Sequence, residues 1–184
     1  LFFSNKSSRK SVGEFIFGFS FLFMGLSNLK TYAPDLGANP DMLAFVQNLT
    51  DMGFISILLF LLIGAVLTMI IQSSSATMAI TLIMCTNGWI DYHLGAALVL
   101  GENIGTTVTA NLAALTGNTQ ARRAALAHLM FNIFGVIWVL ILFYPFTAAV
   151  SWFVTNVMHV SDPAVRVSFE LSAFHTAFNI CNTF

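Results

Sequence analysis

A run of polar side chains interrupts an apolar stretch of the sequence and offers groups that could bind an oxyanion. The stretch reads IQSSSAT at residues 71–77, with uncharged apolar arms on both sides. Successive helix positions point about 100° apart, so consecutive polar residues cannot all face one neighbouring helix. A non-helical turn would gather them. Unwound N–H groups, serine hydroxyls and the positive end of the following helix would then suit a small oxyanion. The structural alternative is serines that bond back to helix carbonyls and let helices approach closely.

The next apolar stretch contains a second polar run, GENIGTT at residues 101–107. Its paired glycines permit unwinding of a helix. Freed carbonyls, the Asn103 amide oxygen and the hydroxyls of Thr106 and Thr107 are hard oxygen ligands that suit alkali cations. The alternative is a glycine-mediated helix crossing in which the threonines bond to their own backbone. The sequence leaves these two interpretations open.

Taken together, the two runs predict that an anion and a cation bind side by side. An oxyanion needs positive charge nearby, yet no Lys or Arg occurs between Lys30 and Arg122. Bound alkali cations are the obvious source of this positive charge. An anion and a cation held near the membrane midplane by broken helices are the physical basis of cation-coupled symport.

Four ionisable side chains lie in apolar segments. Glu102 is an intramembrane carboxyl group, which is costly and usually faces a cavity or a partner. Protonation, pairing with a buried cation and sodium binding are all open for it. Glu170 follows Arg166 by four residues, which predicts an ion pair. We expect His128 and His175 to bond to neighbouring helices.

The composition places both polar runs in a membrane protein. Of the 184 residues, 57% are hydrophobic and only 8% are charged, against about 25% in an average soluble domain. A net charge of −1 offers no basic surface for nucleic acid. Cys85 and Cys181 both lie in apolar runs, so a disulfide framework is not expected.

Long gaps without charged residues mark about five or six membrane-crossing segments of roughly 20 residues each. The expected segments are Val12–Leu29, Phe54–Ile71, Ala76–Ile90, Leu94–Leu115, a long stretch Ala124–Met158 broken at Pro145, and Val165–Phe184. The fold class is therefore an all-α membrane protein. We expect a polytopic helical bundle with a re-entrant hairpin at about residues 54–90 and a broken helix at about residues 94–115.

Charge distribution predicts which ends of the segments face the cytoplasm. The cations form two clusters, at Lys6, Arg9 and Lys10 and at Arg122 and Arg123, and both are expected inside. Residues 1–11 would be a cytoplasmic N-terminal segment, and residues 12–184 the transmembrane transport domain. The acids on the other side are Asp35, Asp41, Asp51, Asp91 and Asp162. For Asp51 and Asp91 to share a side, residues 54–90 must enter the membrane and return. They do so either as two full crossings or as a re-entrant hairpin folded at residues 72–75, and the short second arm favours the hairpin.

The two polar runs resemble motifs of the sodium-dependent phosphate cotransporter family, most closely its bacterial branch. The runs ARRAALAH at residues 121–128 and FHTAFN at residues 174–179 are similar to later helices of that family. Its members have two inverted repeats, each with a Gln-Ser-Ser-Ser hairpin, with phosphate and sodium held between them. This chain carries one such run and resembles the second repeat. It is therefore interpreted as a fragment of a longer protein, one half of an inverted-repeat transporter.

The resemblance implies sodium-coupled symport of inorganic phosphate across the plasma membrane by alternating access, and no enzymatic activity. The implied phosphate-binding residues are Gln72, Ser73, Ser74, Ser75, Asn103, Thr106 and Thr107. The implied sodium ligands are Gln72, Ser75, Thr77, Asn103 and Thr107, with Glu102 in an unassigned role. Sodium is the co-transported ion, and no organic cofactor is implied. The implied partners are phosphate, sodium, membrane lipid, the missing first repeat in the same protein or on another chain, and a second copy of this chain in a homodimer.

Two other functions compete with transport. An intramembrane serine hydrolase would use one of Ser73–Ser75 with His128 or His175 as the base, within hydrogen-bond reach. An ion channel or a structural membrane subunit would use the polar runs to line a pore or to pack helices. Both rank below transport on the sequence.

Overall fold

The computed structural model describes residues 7–32 and 48–183, and helices dominate both ranges. The helices are α1 Ser7–Tyr32, α2 Phe54–Ile71, α3 Ser74–Thr86, α4 Tyr92–Ala114, α5 Thr119–Ile141, α6 Phe143–Asn156 and α7 Pro163–Thr183. Residues 48–50 are helical as well, and neither described range contains a strand. The all-α fold class is confirmed.

The chain divides into two compact units, Leu1–Asp35 and Leu36–Phe184. In the first unit, α1 begins at Ser7, five residues before the expected apolar span. Phenylalanine rings four residues apart contact each other along α1, with centroids 4.6 Å apart for Phe17 and Phe21 and 4.7 Å apart for Phe19 and Phe23. The expected positions of Lys6, Asp35 and Asp41 lie outside the described residues.

Helix α4 forms the centre of the second unit and packs against α2, α3, α5 and α7. All residues from Leu94 to Glu102 are buried. This segment is rich in Ala, Gly and aliphatic side chains, which lets several helices approach the α4 backbone at once.

Helices α2 and α4 are in direct backbone contact at three glycines. A methyl group added at Gly64 would overlap the carbonyl oxygen of Leu98, and one added at Gly101 would overlap that of Leu61. A methyl group at Gly105 would lie 2.5 Å from the carbonyl oxygen of Ala65. Side chains larger than hydrogen are therefore excluded at these positions. The contacts advance in the same direction along both helices, so α2 and α4 are parallel.

The parallel arrangement means that the chain reverses twice between Asp51 and Asp91. Asp51 lies three residues before the start of α2, and Asp91 lies directly before α4. The two therefore lie at the same end of the helix pair, as the charge distribution predicted. The returning helix is α3, which has 13 residues. At about 1.5 Å per residue it is about 20 Å long, short of a hydrocarbon core of about 30 Å.

The prediction of a helical break in the second polar run is wrong, because α4 is continuous from Tyr92 to Ala114. Gly101 and Gly105 serve the close contact with α2 rather than an unwound segment. The hydroxyl of Thr106 donates to the carbonyl of Glu102 at 2.9 Å, and that of Thr107 donates to the carbonyl of Ile104 at 2.8 Å. The structure therefore supports the alternative interpretation, a glycine-mediated helix crossing.

The break expected near Pro145 is confirmed, although it falls three residues earlier. Helix α5 ends at Ile141, and α6 begins at Phe143. Proline lacks an N–H group, and its ring would clash with the carbonyl of the residue four positions before it, which is Ile141. Pro145 therefore lies in the first turn of α6, where no backbone N–H donor is required.

Three of the described helices are long and apolar enough to cross a membrane: Ser7–Asn28 within α1, α2 and α5. Helix α3 is apolar but shorter than such a span. This pattern, together with the strand-free fold of the described ranges, is that of a helical membrane protein.

We predict that Gly101→Ala destabilises the protein by about 1–3 kcal/mol, because the added methyl group overlaps the α2 backbone. Gly18→Ala is the matched control, since no atom lies within 4 Å of the added methyl group in α1. It should leave stability unchanged or raise it by up to about 1 kcal/mol. Thermal unfolding in detergent micelles measures both. Equal melting temperatures for the two variants would contradict the close α2–α4 contact.

Candidate functional site

The first polar run forms a sharp connection between α2 and α3. Gln72 ends α2 in the left-handed conformation, with φ of 57°, and its N–H donates to the carbonyl of Thr68 at 2.7 Å. Ser73 is extended and precedes the first turn of α3. The helical break predicted at this position is therefore confirmed. Only two residues join the helices.

Hydroxyl groups cluster at the N-terminus of α3. The Ser73 Oγ accepts a hydrogen bond from the N–H of Ala76 at 3.3 Å and lies 3.2 Å from the Ser75 Oγ. The Ser74 and Ser75 N–H groups belong to the first turn of α3, where no intrahelical acceptor exists. Gln72 and Ser75 are exposed, whereas Ser73 and Ser74 are half-buried. The turn thus presents hydroxyls, backbone N–H groups and a positive helix end at an accessible surface, a combination that suits an anion.

A buried polar row continues from this turn into the helix bundle. The Thr77 hydroxyl donates to the carbonyl of Ser73 at 3.0 Å and lies 3.2 Å from the Thr68 hydroxyl on α2. One helical turn further along α3, the Thr81 hydroxyl donates to Glu102 Oε1 on α4 at 2.9 Å, and the carbonyl oxygen of Thr77 on its own helix is a second acceptor at 3.1 Å. All four of these threonine and glutamate side chains are at most 2% exposed.

Thr68 and Thr81 are not among the site residues predicted from the sequence. A signal for Thr81 was present, because Thr77, Thr81 and Cys85 recur every four residues in an apolar helix, the spacing of one buried face. Thr68 carries no comparable signal. The other hydroxyl residue of α2, Ser56, lies twelve residues earlier, and only the fold brings Thr68 opposite Thr77.

Three of the predicted site residues on α4 donate hydrogen bonds to their own helix. The Asn103 side-chain amide donates to the carbonyl of Val99 at 2.8 Å, and Thr106 and Thr107 donate to carbonyls within α4. Among the described residues, no hydrogen bond joins these three side chains to residues 72–75. The two groups are linked indirectly, because Gly105 packs against Thr68, the neighbour of Thr77.

Two polar side chains attach α5 to the far end of α4. The amide of Asn111 donates to the carbonyl of Ala125 at 2.8 Å, and the guanidinium of Arg122 donates to the carbonyl of Leu115 at 2.6 Å. Arg122 and Arg123 are exposed near the start of α5. Because they follow the C-terminal end of α4, they lie at the end of the bundle opposite Asp91.

The remaining titratable residues lie elsewhere in the unit. Arg166 Nε is 3.7 Å from Glu170 Oε1, which confirms the predicted ion pair. Glu170 is also the acceptor of a short hydrogen bond from the Ser151 hydroxyl on α6. His128 is exposed and His175 is half-buried. Cys85 is buried, Cys181 is exposed, and both are free thiols.

Comparison with known proteins shows the family. The family described as Na+/Pi-cotransporter matches residues 37–161, more than half of the chain. The uncharacterized protein YqeW of Bacillus subtilis (strain 168) is 40% identical over 120 residues, which cover 65% of this chain and 36% of YqeW. No solved structure matches the chain.

Two mammalian relatives give the same result. The sodium-dependent phosphate transport protein 2C of Mus musculus is 42% identical over 94 residues, covering 48% of this chain and 16% of that protein. The sodium-dependent phosphate transport protein 2B of Homo sapiens is 42% identical over 91 residues, covering 47% of this chain and 13% of that protein. The chain thus spans between 13% and 36% of the length of these three relatives. From its match over residues 37–161, the chain belongs to the Na+/Pi-cotransporter family.

Proposed function

We propose that the protein to which this chain belongs is a sodium-coupled symporter of inorganic phosphate that works by alternating access. The family and the names of the mammalian relatives support the coupling of sodium and phosphate. The matched family is one of cotransporters rather than of enzymes. This chain would supply one of two inverted repeats.

The observation that carries this proposal is the helical break at Gln72–Ser73. This break interrupts an apolar stretch and places the N-terminus of α3, with its serine hydroxyls, at an accessible surface. A tetrahedral oxyanion accepts several hydrogen bonds, and hydroxyl and backbone N–H donors at a helix N-terminus match it. We assign phosphate binding to residues 72–75, with Asn103, Thr106 and Thr107 contributing from α4.

Sodium completes the charge balance of this site. Between Lys30 and Arg122 the sequence has no cationic side chain apart from the histidine at position 93. His93 lies at the opposite end of α4, so phosphate would need bound cations for neutralisation. The proposed sodium ligands are side-chain oxygens of Gln72, Ser75, Thr77, Asn103 and Thr107. Asn103 supports this role, because its hydrogen bond to Val99 uses only the amide nitrogen and leaves the Oδ1 available.

A single chain of this kind supplies only half of the proposed site. We propose that the other repeat, in the same protein or on another chain, closes the site from the opposite side. We further propose that two copies of the complete protein form a homodimer in the lipid bilayer. The end with Arg122 and Arg123 would face the cytoplasm, and the end with Asp51 and Asp91 the other side of the plasma membrane.

We predict that phosphate uptake depends on sodium. Full-length protein in proteoliposomes should take up radiolabelled phosphate when external sodium is present, because sodium neutralises the bound anion and its inward gradient drives transport. Replacing sodium by choline at constant ionic strength should abolish uptake. Sulfate as the alternative anion is a control for selectivity. Equal phosphate uptake in sodium and choline would reject the coupling.

We further predict that Ser73→Ala and Ser74→Ala each raise the KM for phosphate by about tenfold or more, the effect of removing one hydrogen bond to a charged ligand. Ser73 also caps α3, so part of its effect could come from lost helix stability. Asn118→Ala is the matched control, because it removes the N-cap of α5, which lies outside the proposed site. Asn118→Ala should lower stability without changing the KM. A similar KM rise in all three variants would attribute the effect to helix capping and remove the serines from the site.

A further inference from the structure

Helix α3 has a single narrow buried face. Its buried residues are Thr77, Thr81 and Cys85, which recur every four residues. Two of the three carry hydroxyl groups that reach another helix, Thr77 toward α2 and Thr81 toward α4. Hydrogen bonds are directional, whereas contacts between apolar side chains are not. The two threonines therefore determine where α3 lies along and around its neighbours.

The partner of Thr81 is held on a rigid support. Glu102 is 2% exposed and follows Gly101, the glycine whose backbone touches α2. A carboxyl group at this depth is costly without a hydrogen-bond partner. The described part of the second unit contains three arginines. Arg122 bonds to the carbonyl of Leu115, Arg123 is exposed, and Arg166 pairs with Glu170. The Thr81 hydroxyl, 2.9 Å from Oε1, is the contact that satisfies Glu102 across the helix interface.

Thr81 is too far along α3 to touch a ligand at the turn. It follows Ser73 by eight residues, a distance of about 12 Å along a helix. A shift of α3 at Thr81 is nevertheless transmitted to Ser73, because the intervening residues form continuous helix and Thr77 bonds to the carbonyl of Ser73. A displacement of about 1 Å in a binding group is enough to weaken its function by a large factor.

We propose that Thr81 and Glu102 are positioning residues for the site at the α2–α3 turn. Their hydrogen bond fixes α3 against α4 and thereby sets the placement of the Ser73–Ser75 hydroxyls. The link to phosphate rests on the proposed function, whereas the positioning of the turn does not. The role requires an acceptor oxygen at residue 102 and a hydroxyl at residue 81, and it does not require a negative charge.

The first test measures phosphate transport by full-length protein in proteoliposomes. Thr81→Val and Glu102→Met should each raise the KM for phosphate by about tenfold with little change in kcat, and the double variant should be no worse than either single one. Thr81→Ser and Glu102→Gln keep the hydroxyl and the acceptor oxygen, so both should retain the unmodified KM. Loss of function in Glu102→Gln, or multiplied effects in the double variant, would overturn the proposal.

Thr147→Val is the matched control for loss of a buried hydroxyl. Thr147 is fully buried in α6, and its hydroxyl donates to carbonyls of its own helix, at Phe143 and Tyr144. It should change thermal stability as much as Thr81→Val does but leave the KM unchanged. If Thr81→Val, like Thr147→Val, lowers the melting temperature and leaves the KM unchanged, the role of Thr81 is structural and the proposal fails.

A second measurement is independent of what the protein transports. Ser75→Cys in a Cys181→Ser background places an exposed thiol at the turn, while Cys85 stays buried. Adding Thr81→Val should change the rate of labelling by a charged thiol reagent several-fold, and adding Thr81→Ser or Thr147→Val should not. An unchanged rate in Thr81→Val overturns the positioning role. If the labelling rate changes while the unmodified full-length protein shows no sodium-dependent phosphate uptake, the positioning role is supported and phosphate is rejected as the cargo.

Discussion

The backbone contact between α2 and α4 is the constraint on which the rest of the second unit depends. In apolar surroundings the hydrophobic effect does not hold helices together, so close packing of small residues takes over that role. Gly64, Gly101 and Gly105 bring two parallel backbones together. Parallel neighbours need a returning segment between them, and α3 is that segment. The position of the α2–α3 turn, and with it the serine cluster, follows from this pairing.

Polar groups add directional hydrogen bonds to a helix bundle that is otherwise held together by close packing. Thr68, Thr77, Thr81 and Glu102 form cross-helix contacts in the interior, and each is almost completely buried. Because an unsatisfied polar group in a membrane interior is costly, each such contact selects one rotation and one register of the helices. Close packing at the glycines and directional hydrogen bonds from the hydroxyls together give the helices a defined arrangement around the turn.

The first polar run was interpretable from sequence because consecutive polar residues are incompatible with one helix face. The break at Gln72–Ser73 and the common end of Asp51 and Asp91 follow from that argument and from the charge pattern. The second run was different. A glycine pair permits either unwinding or close helix contact, and the choice depends on whether another backbone lies opposite, which no local pattern reveals. The pairing of Thr81 with Glu102 likewise depends on tertiary contact between segments that are distant in sequence.

The two-residue connection at Gln72–Ser73 has a consequence for which sequences can adopt this arrangement. Each residue of a helix adds a rotation of about 100°, so one inserted residue would turn the threonine face of α3 away from its partners. A longer loop could absorb such an insertion without moving the helices. Here only two residues separate α2 from α3, so an added residue would lengthen one of the helices or distort the turn. Natural variation at the turn should therefore exchange side chains and preserve length. Insertions and deletions should instead accumulate in connections such as residues 157–162, between α6 and α7.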